Sequence, residues 1–231
     1  MAAVMDFLHV LWDRSPELIF DLIKLSDLCE VESFLISDYF PQLPLSDIIG
    51  LNAETEIRPW LAQYLSSVIV KNVSVIVRDT SQENKIVAVS INDLSCANPP
   101  KDGVDLLSFS DPSHRPKWTA ICELLRDLYV NVDFDPYDPV LSFNLVGVAK
   151  NYAHRGLATK LIDIVVKIAK GRRIRLIKNE VVNEYLANAH FEAGFIVVKQ
   201  INYQFYSKDG RKPFVTDSVH NKIRLMVKII D

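Results

Sequence analysis

The sequence predicts an α/β domain, and three observations carry that prediction. Strand-like apolar runs alternate with segments of helical period from Leu18 onward. One run, Val140 to Val148, passes through a small-residue turn straight into an amphipathic helix. The chain has 231 residues and 49% hydrophobic content, enough for one sizeable core without a second domain.

Taken in order, Leu18 to Leu25 reads as the first strand, Ser26-Asp27 as a cap, and Leu28 to Phe40 as a helix stopped by Pro41 and Pro44. Pro59, a good first-turn residue, opens a second helix that runs to Val70. β-Branched residues mark Val73 to Arg78 and Ile86 to Ile91 as strands, with Thr80 to Asn84 as the hairpin turn between them. Cys96 to Pro116 holds four of the 11 prolines and is expected to be a long surface loop, followed by a helix from Lys117 to about Asn131. Arg173 to Ile177 is read as the strand after the central helix, and Lys222 to Lys228 as the last strand.

The central unit is the most informative. Strict alternation would put Val140, Ser142, Asn144, Val146 and Val148 on one side of its strand and Leu141, Phe143, Leu145 and Gly147 on the other. Neither side is strongly polar, as in a strand covered on both faces. Gly147 permits a bulge or the close approach of a ligand to backbone. After Asn151 to Arg155, Gly156 and Ala158 are small where a phosphate would need room against a helix start, whose free amides and dipole favour an anion. Leu157, Leu161, Ile164, Val165 and Ile168 then repeat at helical spacing, and Gly171 supplies a stop.

Tyr152-Ala153-His154-Arg155-Gly156-Leu157-Ala158 resembles the pyrophosphate loop of the GCN5-related N-acetyltransferase (GNAT) superfamily, which reads Gln or Arg, two residues, Gly, one residue, Gly or Ala. Ala153 takes the place of the first Gln or Arg. The resemblance extends to His190-Phe191-Glu192-Ala193-Gly194-Phe195, similar to the end of that superfamily's fourth core helix and the start of the next strand, with Asn183 at the helix's beginning. Phe34 to Leu45, and Tyr206 to Phe214 followed by Val219-His220 and the last strand, resemble the first helix and the close of insect-type arylalkylamine N-acetyltransferases. The match covers roughly residues 17 to 231, leaving 1–16 as an N-terminal extension.

The resemblance implies an acyl-CoA N-acyltransferase fold: a mixed central sheet, splayed around the cofactor, with helices on both faces. It implies acetyl transfer from acetyl-CoA to a small primary amine, an arylalkylamine in the first instance, with Val146, Gly147, Val148, Asn183 and Ala153-His154-Arg155-Gly156-Leu157-Ala158-Thr159 binding the cofactor. An ammonium near pKa ~10 must lose its proton before it can attack. The insect-type enzymes place an acidic base just before the proline of the loop after the first helix, and this chain has Leu43-Pro44 there. Val182 and Leu186 stand where the family has serines. His220 matches the family's C-terminal histidine and is the base candidate, with an unperturbed pKa near ~6.5. His190 occupies the place of a tyrosine that protonates the leaving sulfur, so it is the second catalytic candidate, against the alternative of a half-buried structural histidine. Glu180, Tyr185 and Asp38 are further titratable candidates, with a solvated Glu, a packed Tyr and a solvated Asp as the ordinary alternatives. Two other readings stay open: an acyl-CoA-binding protein of the same fold that has lost turnover, and an acetyltransferase for protein or peptide amines.

Bulk properties narrow the rest. A formal charge of −3 gives no general attraction to nucleic acid or anionic lipid, and Lys167, Lys170, Arg172, Arg173 and Arg175 suit the C-terminal end of a helix. Cys29, Cys96 and Cys122 are too scattered for a disulfide framework or a metal site, so neither is expected. No run approaches the ~20 apolar residues of a membrane span, and the apolar start carries Asp6 without a basic flank, so a cytoplasmic enzyme is expected.

Overall fold

A computed structural model describes residues 17–95 and 115–230. The expected extension at 1–16 and all but the end of the expected loop at 96–116 lie outside the described residues. The first strand, β1 (Leu18–Leu22), is followed by a short 3-10 turn over Leu25–Asp27 and helix α1 (Leu28–Phe34). From there the chain does not stop at Phe40: it widens into a π-helical turn at Leu35–Tyr39, tightens to 3-10 at Phe40–Gln42, and extends at Leu43. Pro44 then opens a new helix, α2 (Pro44–Ile49), because a residue with no N–H fits the first helical position. Helix α3 (Arg58–Ile69), the hairpin β2 (Val75–Asp79) and β3 (Lys85–Ser95), and helix α4 (Arg115–Tyr129) come next. The central unit is β4 (Val140–Val148) and α5 (Leu157–Gly171), followed by β5 (Leu176–Val181), α6 (Glu184–Glu192), β6 (Ile196–Asn202) and β7 (Lys222–Ile229).

The seven strands form one sheet in the order β1-β2-β3-β4-β5-β7-β6. Every neighbouring pair is antiparallel except β4 with β5, so the sheet is mixed, as expected. That parallel pair is short: it joins Leu141 to Ile177, Ser142 to Lys178 and Phe143 to Asn179, and goes no further. β5 meanwhile stays paired with β7 over its whole length, Leu176 to Val181. β4 is therefore the strand that leaves.

The reason is a bulge. Ile91 of β3 faces Leu145 and Asn92 faces Phe143, so Asn144 is an extra residue with no partner across the ladder. A buried polar network stands opposite it: the Ser90 hydroxyl donates to Asn92 Oδ1 at 2.8 Å, Asn92 Nδ2 donates to the Val73 carbonyl at 2.8 Å, and the Asn92 amide donates to Ser74 Oγ at 3.0 Å. The bulge also corrects the strict alternation read from the sequence. Asn144 bonds Tyr64 of α3, and a Cβ on Gly147 would point at Tyr39, so these two residues and Leu145 share the face that carries α1, α3 and α4. Phe143 stacks on His190 of α6, and Val146 and Val148 follow it to the face of α5 and α6. Helices cover both faces.

The core runs through the sheet centre, with Val87, Val89, Leu141 and Phe143 in it and Leu61, Leu65, Leu161 and Val165 packed from the two helical layers. Gly147 is needed for close packing rather than for a ligand: a Cβ there would lie 2.9 Å from Tyr39 Cδ2. Gly147→Ala is expected to cost about 1–3 kcal/mol by overpacking. Thermal unfolding of Gly147→Ala alone and in a Tyr39→Ala background checks this, since an equal loss in both would exclude the Tyr39 contact as the cause.

Candidate active site at the parting of the sheet

Beyond Phe143 the β5-facing edge of β4 is open for five residues, Asn144 to Val148, roughly 16 Å at ~3.3 Å per residue. Which amides face the opening follows from the ladder. The Ala149 amide donates to the Val87 carbonyl at 2.8 Å, so alternation turns the Gly147 amide toward β3 and those of Val146 and Val148 toward the open edge. Of the three expected backbone donors, two face the cleft, and Gly147 does not.

The open edge leads to the start of α5. Gly156 caps this helix in the left-handed region, φ 72°, and no side chain bonds the first-turn amides of Leu157, Ala158 and Thr159. The turn from Ala153 to Gly156 is solvent-exposed, and among the described residues a Cβ on Gly156 would meet nothing within 4 Å. It is held from below. The Tyr152 hydroxyl donates to Asp79 Oδ2 at 2.5 Å, a bond that keeps the Asp79 carboxyl below the usual carboxylate range. The Arg155 guanidinium lies 4.6 Å over the Tyr152 ring, which places a cation beside the helix start, and His154 takes φ 62° to turn the chain. Uncapped amides, a helix dipole and an adjacent Arg suit a diphosphate.

At the inner end of the parting stands a polar cluster. The Asn144 amide donates to the Tyr64 hydroxyl at 2.6 Å. On β5, Lys178 Nζ donates to the Tyr129 hydroxyl at 2.9 Å and sits 4.6 Å from that ring's centre, while the same hydroxyl donates to Glu180 Oε1. Lys178 is only 4% exposed, and burial pushes its ammonium down against the pull of Glu180 and Asp93. Burial and the neighbouring Glu180 carboxylate push the Tyr129 hydroxyl well above its ordinary value.

A cavity of about 280 Å³ opens at the C-terminal end of β5, between the turn after α1 and the segment before β7. Gln42, Leu43, Asp47, Ile48, Ser218 and His220 are among its lining residues. Asp47 lies one turn after Leu43, and its amide donates to the Leu43 carbonyl at 3.3 Å, so the cavity has a carboxylate even though Leu43 is apolar. His220 Nδ1 accepts the Glu184 amide at 3.1 Å. That bond puts the ring's proton on Nε2 when it is neutral, leaving Nε2 a donor and giving the ring no free lone pair for an amine. This argues against His220 as the base. Tyr185, read as packed, is 68% exposed and stacks edge-on to His220 at 5.3 Å.

The other expected positions are placed as follows. His190 is wholly enclosed: Nδ1 donates to the Leu186 carbonyl at 2.9 Å, Nε2 accepts from Asn179 Nδ2 at 3.1 Å, and Phe143 and Phe195 flank the ring. Both nitrogens are committed, so His190 has none left for a leaving sulfur, and desolvation pulls its pKa down to about 4. The Asn183 side-chain oxygen caps α6 by accepting the Tyr185 and Leu186 amides at 2.9 and 3.1 Å. Asp38 accepts the Ser37 hydroxyl at 2.7 Å. Arg172 and Arg175 bind backbone carbonyls of Lys71, Asn72 and Pro136. Cys29 and Cys122 are free thiols. Among the described residues no group of three or more potential ligands could hold a metal, and no helix is long and apolar enough to cross a membrane.

No family model and no curated sequence matches the chain. Solved structures do. Arylalkylamine N-acetyltransferase 2 from Aedes aegypti superposes with a TM-score of 0.81 at 23% identity, over 93% of this chain and 99% of that one. The polyamine N-acetyltransferase of Drosophila melanogaster, which catalyses the formation of N-acetylagmatine, follows with a TM-score of 0.72 at 16% identity, over 93% and 100%. A GNAT-family acetyltransferase from Streptococcus pneumoniae gives a TM-score of 0.54 at 14% identity, over 93% and 100%. This is the GNAT fold.

In this fold, Leu43, Val182 and Leu186 pack against the core as partly buried apolar side chains, so none of the three carries a proton. Sequence reasoning missed Asp47, although its place four residues after Leu43, on one helical face, is a readable signal. It also left Glu180 as a solvated residue.

The enclosed His190 generates a pH prediction. Its folded pKa, about 4, lies below the unfolded ~6.5, so the unfolded chain binds the extra proton between these values and stability falls as pH drops from ~6.5 through 4, by at most about 1.4 kcal/mol per pH unit. Unfolding midpoints of wild type and His190→Gln across this range check it: the wild-type slope should exceed that of the variant, and identical slopes would remove His190 as the source.

Proposed function

We propose that residues 17–231 act as one acetyl-CoA-dependent N-acetyltransferase for a small primary amine. One observation supports the reading most: among the described residues, the exposed, uncapped start of α5 follows a strand whose last roughly 16 Å of β5-facing edge is unpaired. The diphosphate would rest on the amides of Leu157 to Thr159 beside Arg155. The pantetheine arm, a linear chain with its own amide groups, matches the open edge in length and in hydrogen-bonding character. It would bring the thioester toward the inner end, where the Val146 amide supplies a donor for the oxyanion and the Val148 amide, further out, is left to the pantetheine arm. Acetyl-CoA contributes the activated acyl group; the chain contributes position, donors and a proton acceptor.

The acceptor side supports a small cationic molecule. Asp47 gives the cavity a negative charge that attracts an ammonium, and His220 Nε2–H adds a donor. Among the described lining residues none is aromatic, which favours a short alkyl or polar amine over the arylalkylamine first expected. The neighbours named for arylalkylamine and polyamine acetylation agree with an amine acceptor. Leu43, Val182 and Leu186 are what motivate the second reading, a protein that binds acyl-CoA without turnover.

Acetyl-CoA at 100-fold excess over its Kd should stabilise the chain by about 2.7 kcal/mol, roughly 5–10 °C for this length. A panel of alkyl and aryl amines should then release free thiol above background. Stabilisation without thiol release from any amine would select the binding reading, and no stabilisation would remove both. Gly156→Asn, which tolerates the left-handed backbone but adds a side chain at the cradle, should keep the unfolding temperature near wild type and lose most of the acetyl-CoA shift. A full shift in that variant would contradict binding at the start of α5.

A further inference from the structure

The cluster of Lys178, Tyr129 and Glu180 is unexplained by folding alone. An anchor holding α4 to the sheet needs no charge, and apolar residues of the same volume usually serve as well or better than a buried ionic group. Its place is telling. β4 and β5 part after Phe143 and Asn179, so Glu180 is the first β5 residue beyond the last paired one, as Asn144 is on β4. Glu180 shares a face with Lys178, whose partner Ser142 stands opposite Asp93. On that face it is met by Tyr129 from α4, Tyr64 from α3 and, across the sheet, Asp93 of β3 with its partner Lys71, while its β7 neighbour is the apolar Leu225. Glu180 is half-buried.

Resting on the acetyltransferase reading, we infer that Glu180 is the group that takes the proton from the attacking amine, and that Tyr129, fixed by Lys178, is the residue that positions its carboxylate. The amine is drawn in as its ammonium, gives that proton to solvent and attacks as the free base, its nitrogen lone pair forming the new bond to the thioester carbon while the C=O π pair moves to oxygen, facing the Val146 amide. The nitrogen becomes strongly acidic as that bond forms, so a carboxylate can accept its proton. The oxyanion pair then re-forms C=O, the C–S pair leaves with sulfur, and the proton on Glu180 passes to the thiolate. Amine and acetyl thioester become amide and thiol, with one proton carried from nitrogen to sulfur. The other cluster members follow from this. The Tyr129 hydroxyl, already bonded by Lys178 at its oxygen, has its proton directed at Glu180 and leaves the second carboxylate oxygen for the amine.

The test uses the full chain, acetyl-CoA and the best amine of the panel. Glu180→Gln should retain the acetyl-CoA thermal shift, lose about 100-fold or more in kcat/KM and, once the amine's own ionisation is divided out, lose the acidic limb of the pH–rate profile. Tyr129→Phe removes a hydrogen bond that favours the ionised carboxylate, so its acidic limb should move to higher pH, and the rate above the limb should fall by less than in Glu180→Gln. Glu180→Asp should recover part of the rate. Wild-type kcat/KM and pH profile in Glu180→Gln would overturn the assignment and leave the acetyltransferase reading standing. Absence of turnover in wild type would overturn both. Should the Gln variant fail to fold, the Tyr129→Phe profile decides: a moved limb supports Glu180 and an unmoved one sinks it.

Discussion

One extra residue governs this molecule. Asn144 has no partner on β3, and the two strands that flank β4 are fixed differently: β3 follows it along the bulge, whereas β5 is held by β7 along its full length and cannot follow. The parallel pair must open. Everything functional hangs on that opening, because it frees the Val146 and Val148 amides, sets the roughly 16 Å of edge beside which an acyl carrier can lie, and aims β4 so that the next helix begins at the outer end of the gap. The bulge is also why the two faces of β4 change identity midway, turning Asn144 and Gly147 toward Tyr64 and Tyr39.

A bulge of this kind leaves little in the sequence. The strand, turn and helix of the central unit were legible because apolar period and small residues specify them locally, and their observed bounds, Val140–Val148 and Leu157–Gly171, agree with the reading. The parity beyond Asn144 was not, since it depends on Ser74, Ser90 and Asn92, buried polar groups just before β2 and on β3. Pro44 was read as a stop and is a start, because a proline lacking its N–H suits either end of a helix and only the extended Leu43 between them decides. The strand expected at Arg173–Ile177 begins later and runs on through Lys178, Asn179 and Glu180, polar residues that count against a buried strand until their partners Tyr129 and His190 are known.

The histidines show the same limit in chemical form. Residue type places a group near neutrality, but only hydrogen-bond partners decide which nitrogen is available. His190 spends one nitrogen on a carbonyl and the other on Asn179. His220 spends Nδ1 on the Glu184 amide, so the lone pair a base would use is replaced by an N–H. Neither fact is written in the spacing of the chain.

The position of the carboxylates then matters more than their identity. On the acetyltransferase reading, a proton acceptor on β5 stands across the gap from the amides of β4. Glu180 has that placement, and on the same reading Asp47, in the cavity beside the end of β5, would draw the ammonium in without taking part in the bond exchange. The loss of an acidic residue at Leu43 is then compatible with turnover, since the fold offers two carboxylates that divide attraction and proton transfer between them.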